Sequence, residues 1–188
     1  MTATSYHKRL LEVLNSNKSS IDQGVSELSK EIIDTGRRGR NVWLIGNGGS
    51  ASTAEHFEID LTFVRQELRF DLPLVSSLTS NSAVVTAASN DISYEDLFKV
   101  LLKKKAKKGD LLISISASGN SNNIINAITY ARTQGISTFS LLGFDGGKAT
   151  SISDQSVVVQ TDLGEYGIVE DVHLSICHAV SLAIQKEF

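Results

Sequence analysis

Cysteine, proline and tryptophan each occur only once in this chain of 188 residues, and the net charge is only -3. The lone Cys177 excludes an internal disulfide bond and is typical of proteins of the reducing cytoplasm. Without an excess of positive charge, nucleic-acid binding is not expected. The sequence also lacks an uninterrupted apolar run of the roughly 18–20 residues that span a bilayer, and its N-terminus lacks the apolar core of a signal peptide. We therefore expect a cytoplasmic protein with no membrane or nucleic-acid partner.

Predicted strands and helices alternate along the chain. Helical patterns occupy the segments near 6–14, 21–35, 50–66, 93–107, 121–133 and 167–186. Five short and nearly continuous apolar runs are predicted strands: NVWLIG, LPLVSSL, DLLISISA, STFSLLGF and QSVVVQT. Continuous apolar strands separated by helices are typical of a parallel sheet that is covered on both faces. The sequence therefore predicts an α/β fold, a doubly wound three-layer sandwich with two extra N-terminal helices and no domain boundary.

The last predicted helix contains the segment HLSICHAVSLAIQ, which has few purely polar positions on any side. A helix that is apolar nearly all round is buried on all sides. Association of the chain into a dimer or tetramer is the simplest way to bury it.

A glycine-rich turn, GNGGS, follows the first predicted strand and precedes a helix. Gly48 and Gly49 carry no side chain, so the backbone amides of this turn can approach a ligand closely. The following helix N-terminus favours an anion. The alternative is a plain tight turn. The ligand contacts predicted here are Asn47, Gly48, Gly49 and Ser50.

A second turn, SASGNS, follows the third predicted strand with an unusual density of hydroxyl groups. One such residue is enough to cap a helix, whereas this turn offers Ser116, Ser118, Asn120 and Ser121. Small hydroxyl groups at a helix N-terminus suit the oxygens of a phosphate monoester. We therefore predict a phosphate site in this turn.

A dinucleotide site is the competing interpretation, because Gly46, Gly48 and Ala51 loosely match a G-x-G-x-x-G/A fingerprint. That fingerprint also requires an acidic residue at the end of the second strand, and the segment SSLTSNS has none. No nucleotide cofactor is expected.

Two histidine and carboxylate groups could bind a metal or move a proton. His56 and Asp60 lie one helical turn apart on the same helix face, and the last helix offers Glu170 and His178. A histidine on an apolar helix can also be a simple core residue. Glu170 and His178 are about 12 Å apart along a straight helix, so sharing one ion requires converging long side chains, a Glu170 placed before the helix, or two subunits.

With these motifs the chain resembles the sugar isomerase (SIS) domain, and more closely the sedoheptulose-7-phosphate isomerase (phosphoheptose isomerase) family. The resemblance covers nearly the whole chain and is carried by GNGGSA with His56, Asn90-Asp91, SASGNS, GFDGGK and His178. It implies a single SIS domain over residues 1–188 with a five-stranded parallel sheet. It also implies a homotetramer with active sites between subunits, with the helices of residues 1–38 at the interface.

The resemblance also implies roles for individual residues. Substrate contacts fall on Asn47, Gly48, Gly49, Asn90 and Asp91, with the phosphate held by the serines of the second turn. The implied ligands of a zinc ion are His56, Asp60, Glu170 and His178.

Several positions depart from the family pattern around the substrate. Asp60 replaces a glutamate that is the presumed base, and Glu170 replaces a glutamine. Ala117 replaces a threonine, and Gly167 with Ile168 replaces an Asp-Arg pair. The carboxylate of Glu170 could therefore serve as a relocated base.

The resemblance implies an aldose–ketose isomerase that converts sedoheptulose 7-phosphate to D-glycero-D-manno-heptose 7-phosphate through an enediolate, a step of heptose biosynthesis. Such chemistry requires a phosphate anchor, an acid/base group and charge stabilisation, for which the predicted catalytic residues are Asp60, His178 and Glu170. The alternatives are a non-catalytic SIS protein that binds a phosphosugar or a protein partner, and an isomerase of another phosphosugar. The ionisable groups at Asp60 and His178 favour an enzyme.

Overall fold

The computed structural model describes residues 2–67 and 73–186, without the side chains of 65–67. Within these residues the strands are β1 (Val42–Gly46), β2 (Val75–Ser77), β3 (Leu111–Ser116), β4 (Ser137–Gly143) and β5 (Gln155–Val159). The helices are α1 (Ala3–Ser16), α2 (Lys18–Arg37), α3 (Gly49–Glu67), α4 (Ser82–Asp91), α5 (Leu97–Lys105), α6 (Asn122–Thr133), α7 (Gly147–Ile152) and α8 (Tyr166–Lys186).

The five strands form one parallel sheet in the order β2-β1-β3-β4-β5. The chain moves outward in one direction from β1 to β2 and in the other from β3 to β5. The order therefore reverses between β1 and β3, and the carboxyl ends of these two strands are where open α/β sheets bind ligands.

Helices cover both faces of the sheet. On one face, Leu44 and Ile113 pack in a core with residues of α2, α3 and α8. On the other face, Ile45 and Leu112 pack with residues of α5 and α6. The predicted α/β, doubly wound three-layer sandwich with its five-stranded parallel sheet is confirmed.

Helices α4 and α7 were not predicted. In α4 the consecutive β-branched residues Val84, Val85 and Thr86 conceal the helical pattern, although the side chain of Asn81 caps the helix by accepting from the Val84 amide at 3.1 Å. Helix α5 begins at Leu97 rather than near 93, because turns precede it. The predicted strand LPLVSSL reaches into residue 72, which lies outside the described residues, and is observed only over Val75–Ser77.

Helix α8 is long and apolar enough to cross a membrane by length and composition, with a mean hydropathy of 1.4. It packs against α2 and α3, and half of its apolar window is buried inside the fold. The outer side of α8 carries His178 and Leu182, which are exposed. Within one chain α8 is a core helix that is covered on one side.

Candidate active site

The glycine loop (residues 46–50) connects β1 to α3 and depends on its missing side chains. A Cβ atom at Gly46 would collide with the Ser50 carbonyl group, and one at Gly49 would collide with the Glu170 carboxylate. Gly48 has φ +54°, in the left-handed region that favours glycine. The loop therefore brings bare backbone to the carboxyl edge of the sheet.

The serine loop (residues 116–121) connects β3 to α6 and keeps its hydroxyl protons available. Ser121 occupies the N-cap of α6, yet its side chain makes no capping hydrogen bond. The Ser116 Oγ atom accepts from the Gly119 amide at 3.2 Å, and the Ser118 Oγ atom accepts from the Asn120 amide at 3.3 Å. Since these oxygens are acceptors in the fold, their own O–H groups can donate to an anion.

Two asparagines join these loops at the point where the strand order reverses. The side-chain amides of Asn47 and Asn123 donate to each other's oxygens at 2.9 Å, and the Tyr94 hydroxyl donates to Asn47 Oδ1 at 2.8 Å. The loops enclose the serine pocket, of about 120 Å³, which is lined by Asn47, Ser50, Ile115, Ser116, Ala117, Ser118, Ser121, Tyr166 and Glu170.

Five predicted substrate residues do not line this pocket within one chain: Gly48, Gly49, Asn90, Asp91 and Asn120. Asn90 and Asp91 are exposed at the end of α4, where the Asn90 amide donates to Asp91 Oδ1 at 2.9 Å. Asn120 shapes the serine loop, because its side chain donates to the Ser118 carbonyl and accepts from the Lys148 amide, both at 3.0 Å.

The second group of predicted residues is the His–Asp–His cluster, which consists of His56, Asp60 and His178. The Nε2 atoms of His56 and His178 are 3.0 Å apart. The Asp60 carboxylate lies 3.5 Å from His56 Nε2 and 3.7 Å from His178 Nε2. The three ligand atoms lie within 4.8 Å of one another, and the buried Asp60 Oδ2 atom makes no hydrogen bond with any of the residues that the structure describes.

This donor set fits a divalent metal ion. Two imidazole nitrogens and a carboxylate oxygen are common ligands of catalytic metal sites, which use three protein ligands and leave one position open. The unsatisfied Asp60 Oδ2 atom is the acceptor that a cation or a substrate proton would complete.

Glu170 lies apart from the His–Asp–His cluster. Its carboxylate packs against Gly49 and lines the serine pocket. Helix α8 is continuous from Tyr166, so Glu170 is inside the helix and about 12 Å from His178 along its axis. Within one chain the structure therefore does not bring the four predicted metal ligands together.

A cleft of about 350 Å³ opens beside the cluster and is lined by Asp60, Phe63, Val64, His178, Ser181, Leu182 and Gln185. Phe63 and Leu182 are 60% and 56% exposed. The His–Asp–His cluster therefore lies next to an apolar surface.

Two ionisable groups on α8, His173 and Cys177, are buried in the core and do not line either pocket. Burial lowers the pKa of His173 to about 4 against the opposing effect of its 3.0 Å hydrogen bond with the Leu142 carbonyl. Burial, with the Asp60 charge as a smaller cause, raises the pKa of the Cys177 thiol. His173 is therefore a neutral core residue, and Cys177 is an unreactive thiol.

Sequence reasoning missed Tyr94, Asn123 and Tyr166. Only Tyr166 carried a usable signal, because it lies one turn before Glu170 and so shares its helix face. Glu55 and Glu58 of α3 accept from the Thr79 hydroxyl at 3.0 Å and the Ser77 amide at 2.9 Å. They fasten α3 to the end of β2.

Comparison with known proteins places this site in a family. The model of the SIS domain matches residues 5–143. A phosphoheptose isomerase of Aliarcobacter butzleri is 36% identical over 89% of this chain and 87% of its own, and one of Chlorobium phaeobacteroides is 34% identical over 96% and 79%. The solved phosphoheptose isomerase of Neisseria gonorrhoeae has the same fold, with a TM-score of 0.89 at 23% identity over 97% of this chain and 96% of that one. The chain belongs to the SIS domain family and, within it, to the phosphoheptose isomerases.

Proposed function

We propose that the protein is an aldose–ketose isomerase that converts sedoheptulose 7-phosphate to D-glycero-D-manno-heptose 7-phosphate. The observation that carries this proposal is that α8 contributes to both sites. Its Glu170 lines the serine pocket, and its His178 belongs to the His–Asp–His cluster. We infer that the substrate is a heptose phosphate because the similar proteins are named phosphoheptose isomerases. Phosphate binding and proton transfer are the two activities that such an isomerase combines.

The phosphate is bound by the serine loop. The hydroxyl groups of Ser116, Ser118 and Ser121 donate to its oxygens, and Ser50 adds a hydroxyl at the start of α3. The N-terminus of α6 adds a favourable electrostatic field. The glycine loop allows the sugar to approach the backbone at Gly48 and Gly49.

Proton transfer between C1 and C2 requires a group that accepts the proton from one carbon and returns it to the other. We assign this role to Asp60, whose Oδ2 atom is buried and has no hydrogen-bond partner in the described part of the chain. His178 is placed to exchange a proton with a substrate oxygen. We assign Glu170 to substrate binding rather than to proton transfer, because it lies about 12 Å along α8 from His178.

The same cluster would hold zinc through His56, Asp60 and His178. When bound, zinc polarises the substrate carbonyl and stabilises the enediolate. The Nε2 atom of His178 can carry a proton or bind the ion, but not both at once. Chelation therefore distinguishes the two roles, since removal of an essential ion abolishes turnover until zinc is restored.

Assembly into a homo-oligomer, a tetramer by family resemblance, would cover the apolar surface beside the cluster. Ile59, Phe63 and Leu182 are each more than half exposed in the single chain. Helices α1 and α2 lie in the 1–38 segment predicted at the interface. We infer a cytoplasmic location from the composition, and we infer that the chain is a single SIS domain.

The proposal is tested by substitutions in the cluster. His178→Ala abolishes turnover of sedoheptulose 7-phosphate, and Asp60→Asn reduces it strongly because the amide cannot accept the proton. Ser151→Ala, on the exposed α7, is the control and keeps full activity. Full activity of His178→Ala would refute the assigned mechanism.

A further inference from the structure

Tyr166 lies at the rim of the serine pocket, although neither the sequence motifs nor the proposed mechanism uses it. It is the first residue of α8 and is 52% exposed. It lines the pocket with Ser118, Ser121 and Glu170. Its hydroxyl makes no hydrogen bond with any residue that the structure describes, so this O–H group is free to donate to a ligand.

The Tyr166 ring packs against the Phe144 ring. The two rings meet edge to face at 86°, with centroids 5.1 Å apart. Phe144 is itself 5% exposed and packs with Ala117 and Val169. It has φ +54°, and it is the one non-glycine residue with a positive φ in the described part of the chain. A bulky residue adopts this conformation only where its surroundings impose it.

The loop that carries Phe144 is bonded directly to the serine loop. The Gly143 amide donates to the Ala117 carbonyl, and the Ala149 amide donates to the Gly119 carbonyl, both at 3.0 Å. The Tyr166 ring therefore packs against a segment that is hydrogen-bonded to the serine loop.

Helix α1 holds both chain neighbours of Tyr166. The Arg9 guanidinium binds both oxygens of Glu165 at 2.8 Å and lowers the pKa of that carboxyl. The Tyr6 hydroxyl donates to Asp171 at 2.8 Å and lies 3.3 Å from where a Cβ at Gly167 would be. The start of α8 around Tyr166 is thus joined to α1 by the ion pair at Glu165 and the hydrogen bond at Asp171.

The lining of the serine pocket offers neutral donors and one carboxylate. Within the described residues its lining contains no lysine or arginine, while Glu170 adds a carboxylate. Hydroxyl and amide donors must therefore supply the stabilisation of a bound phosphate. Of the two α8 residues in this lining, Tyr166 offers a side-chain donor, its hydroxyl, and Glu170 offers a carboxylate.

We propose that Tyr166 is a substrate-binding residue that selects sugar phosphates. Its hydroxyl donates a hydrogen bond to the phosphate, and its ring packs against the carbon chain of the sugar. This inference rests on the proposed function of the serine pocket. The Tyr166 ring recognises the part of the sugar next to the phosphate. Tyr166 belongs to neither the glycine loop nor the serine loop.

Calorimetric binding of inorganic phosphate and of sedoheptulose 7-phosphate separates the two contributions. Tyr166→Phe loses only the hydroxyl, so both ligands bind about 10- to 100-fold more weakly. Tyr166→Leu also loses the ring, which weakens binding of the phosphosugar by a further factor of about ten but leaves inorganic phosphate as in Tyr166→Phe. Tyr130→Phe, on the far side of the sheet, is the matched control and changes neither affinity.

Steady-state kinetics provide a second readout. Removing a binding contact that is equal in ground and transition states raises KM and leaves kcat nearly unchanged. Unchanged affinities and KM in Tyr166→Phe, with active wild-type protein, would overturn the role of Tyr166 and leave the proposed function standing. Wild-type protein that binds neither ligand would overturn both.

Discussion

Removing the Ser121 hydroxyl separates ligand binding from fold stability more cleanly than any other change in the serine loop. The side chain occupies the N-cap of α6 but makes no capping hydrogen bond. A capping serine replaced by alanine typically loses about 1 kcal/mol of stability, whereas this one has no such bond to lose. A hydrogen bond to a charged group is worth about 1–3 kcal/mol, so Ser121→Ala weakens phosphosugar binding by about 5- to 150-fold.

Calorimetric titration and urea unfolding of the same samples test both parts of this prediction. The free energy of unfolding of Ser121→Ala stays within about 0.5 kcal/mol of wild type, while the affinity falls. Ser118→Ala loses affinity to a similar extent. Thr133→Ala, at the other end of α6, removes a hydroxyl that donates to the Tyr130 carbonyl at 2.7 Å and leaves binding unchanged. Unchanged affinity in both serine variants would place the phosphate site elsewhere.

Three further predictions concern the metal, the assembly and the pH dependence of stability. His56→Ala lowers the zinc content measured by elemental analysis, and equal zinc in variant and wild type contradicts the assigned ligands. Light scattering at micromolar concentration gives a mass well above that of the 20.3 kDa chain, and a clean monomer refutes assembly through α3 and α8. Because burial lowers the pKa of His173 from its ordinary value of 6.5 to about 4 in the fold, the unfolded state binds a proton first as the pH falls. His173 thus contributes a loss of about 3 kcal/mol of stability between pH 6.5 and 4. NMR detects little protonation of the native imidazole down to pH 5, and full protonation at pH 5 would contradict this prediction.

The layers of the fold could be predicted because short, mostly apolar runs alternate with longer segments of helical periodicity. Strand β1 has no polar residue, and all residues of β1 and β3 are buried. This pattern is typical of a parallel sheet that is covered on both faces. Helices α4 and α7 could not be predicted in the same way. Helix α4 is short, rich in β-branched residues and has no buried residue, so it lacks the apolar stripe that indicates a helix.

The parts of the candidate site that lie within short sequence motifs could be predicted. The glycine and serine loops are local motifs, and His56 with Asp60 follows helical spacing. The separation of Glu170 from His178 follows from the helix predicted over 167–186, which α8 confirms. The place of the Glu170 carboxylate in the serine pocket was not predictable, because it depends on the packing of α8 beside Gly49.

Contacts between distant segments account for the residues that the sequence did not reveal. The Asn47–Asn123 pair, the Phe144–Tyr166 contact and the Arg9–Glu165 ion pair each join segments of the chain that no motif links. Only the strand order β2-β1-β3-β4-β5 brings the glycine and serine loops side by side.

Isomerisation of sedoheptulose 7-phosphate by the purified wild-type protein, followed by NMR, tests the central proposal most directly. We expect the aldose signals of D-glycero-D-manno-heptose 7-phosphate to appear, and in deuterated water we expect solvent deuterium at C2 of this product. A panel of other ketose phosphates, run in parallel, tests whether the heptose is the preferred substrate. Binding of the heptose phosphate without any turnover of the panel would contradict the proposed enzyme and favour a non-catalytic phosphosugar-binding protein.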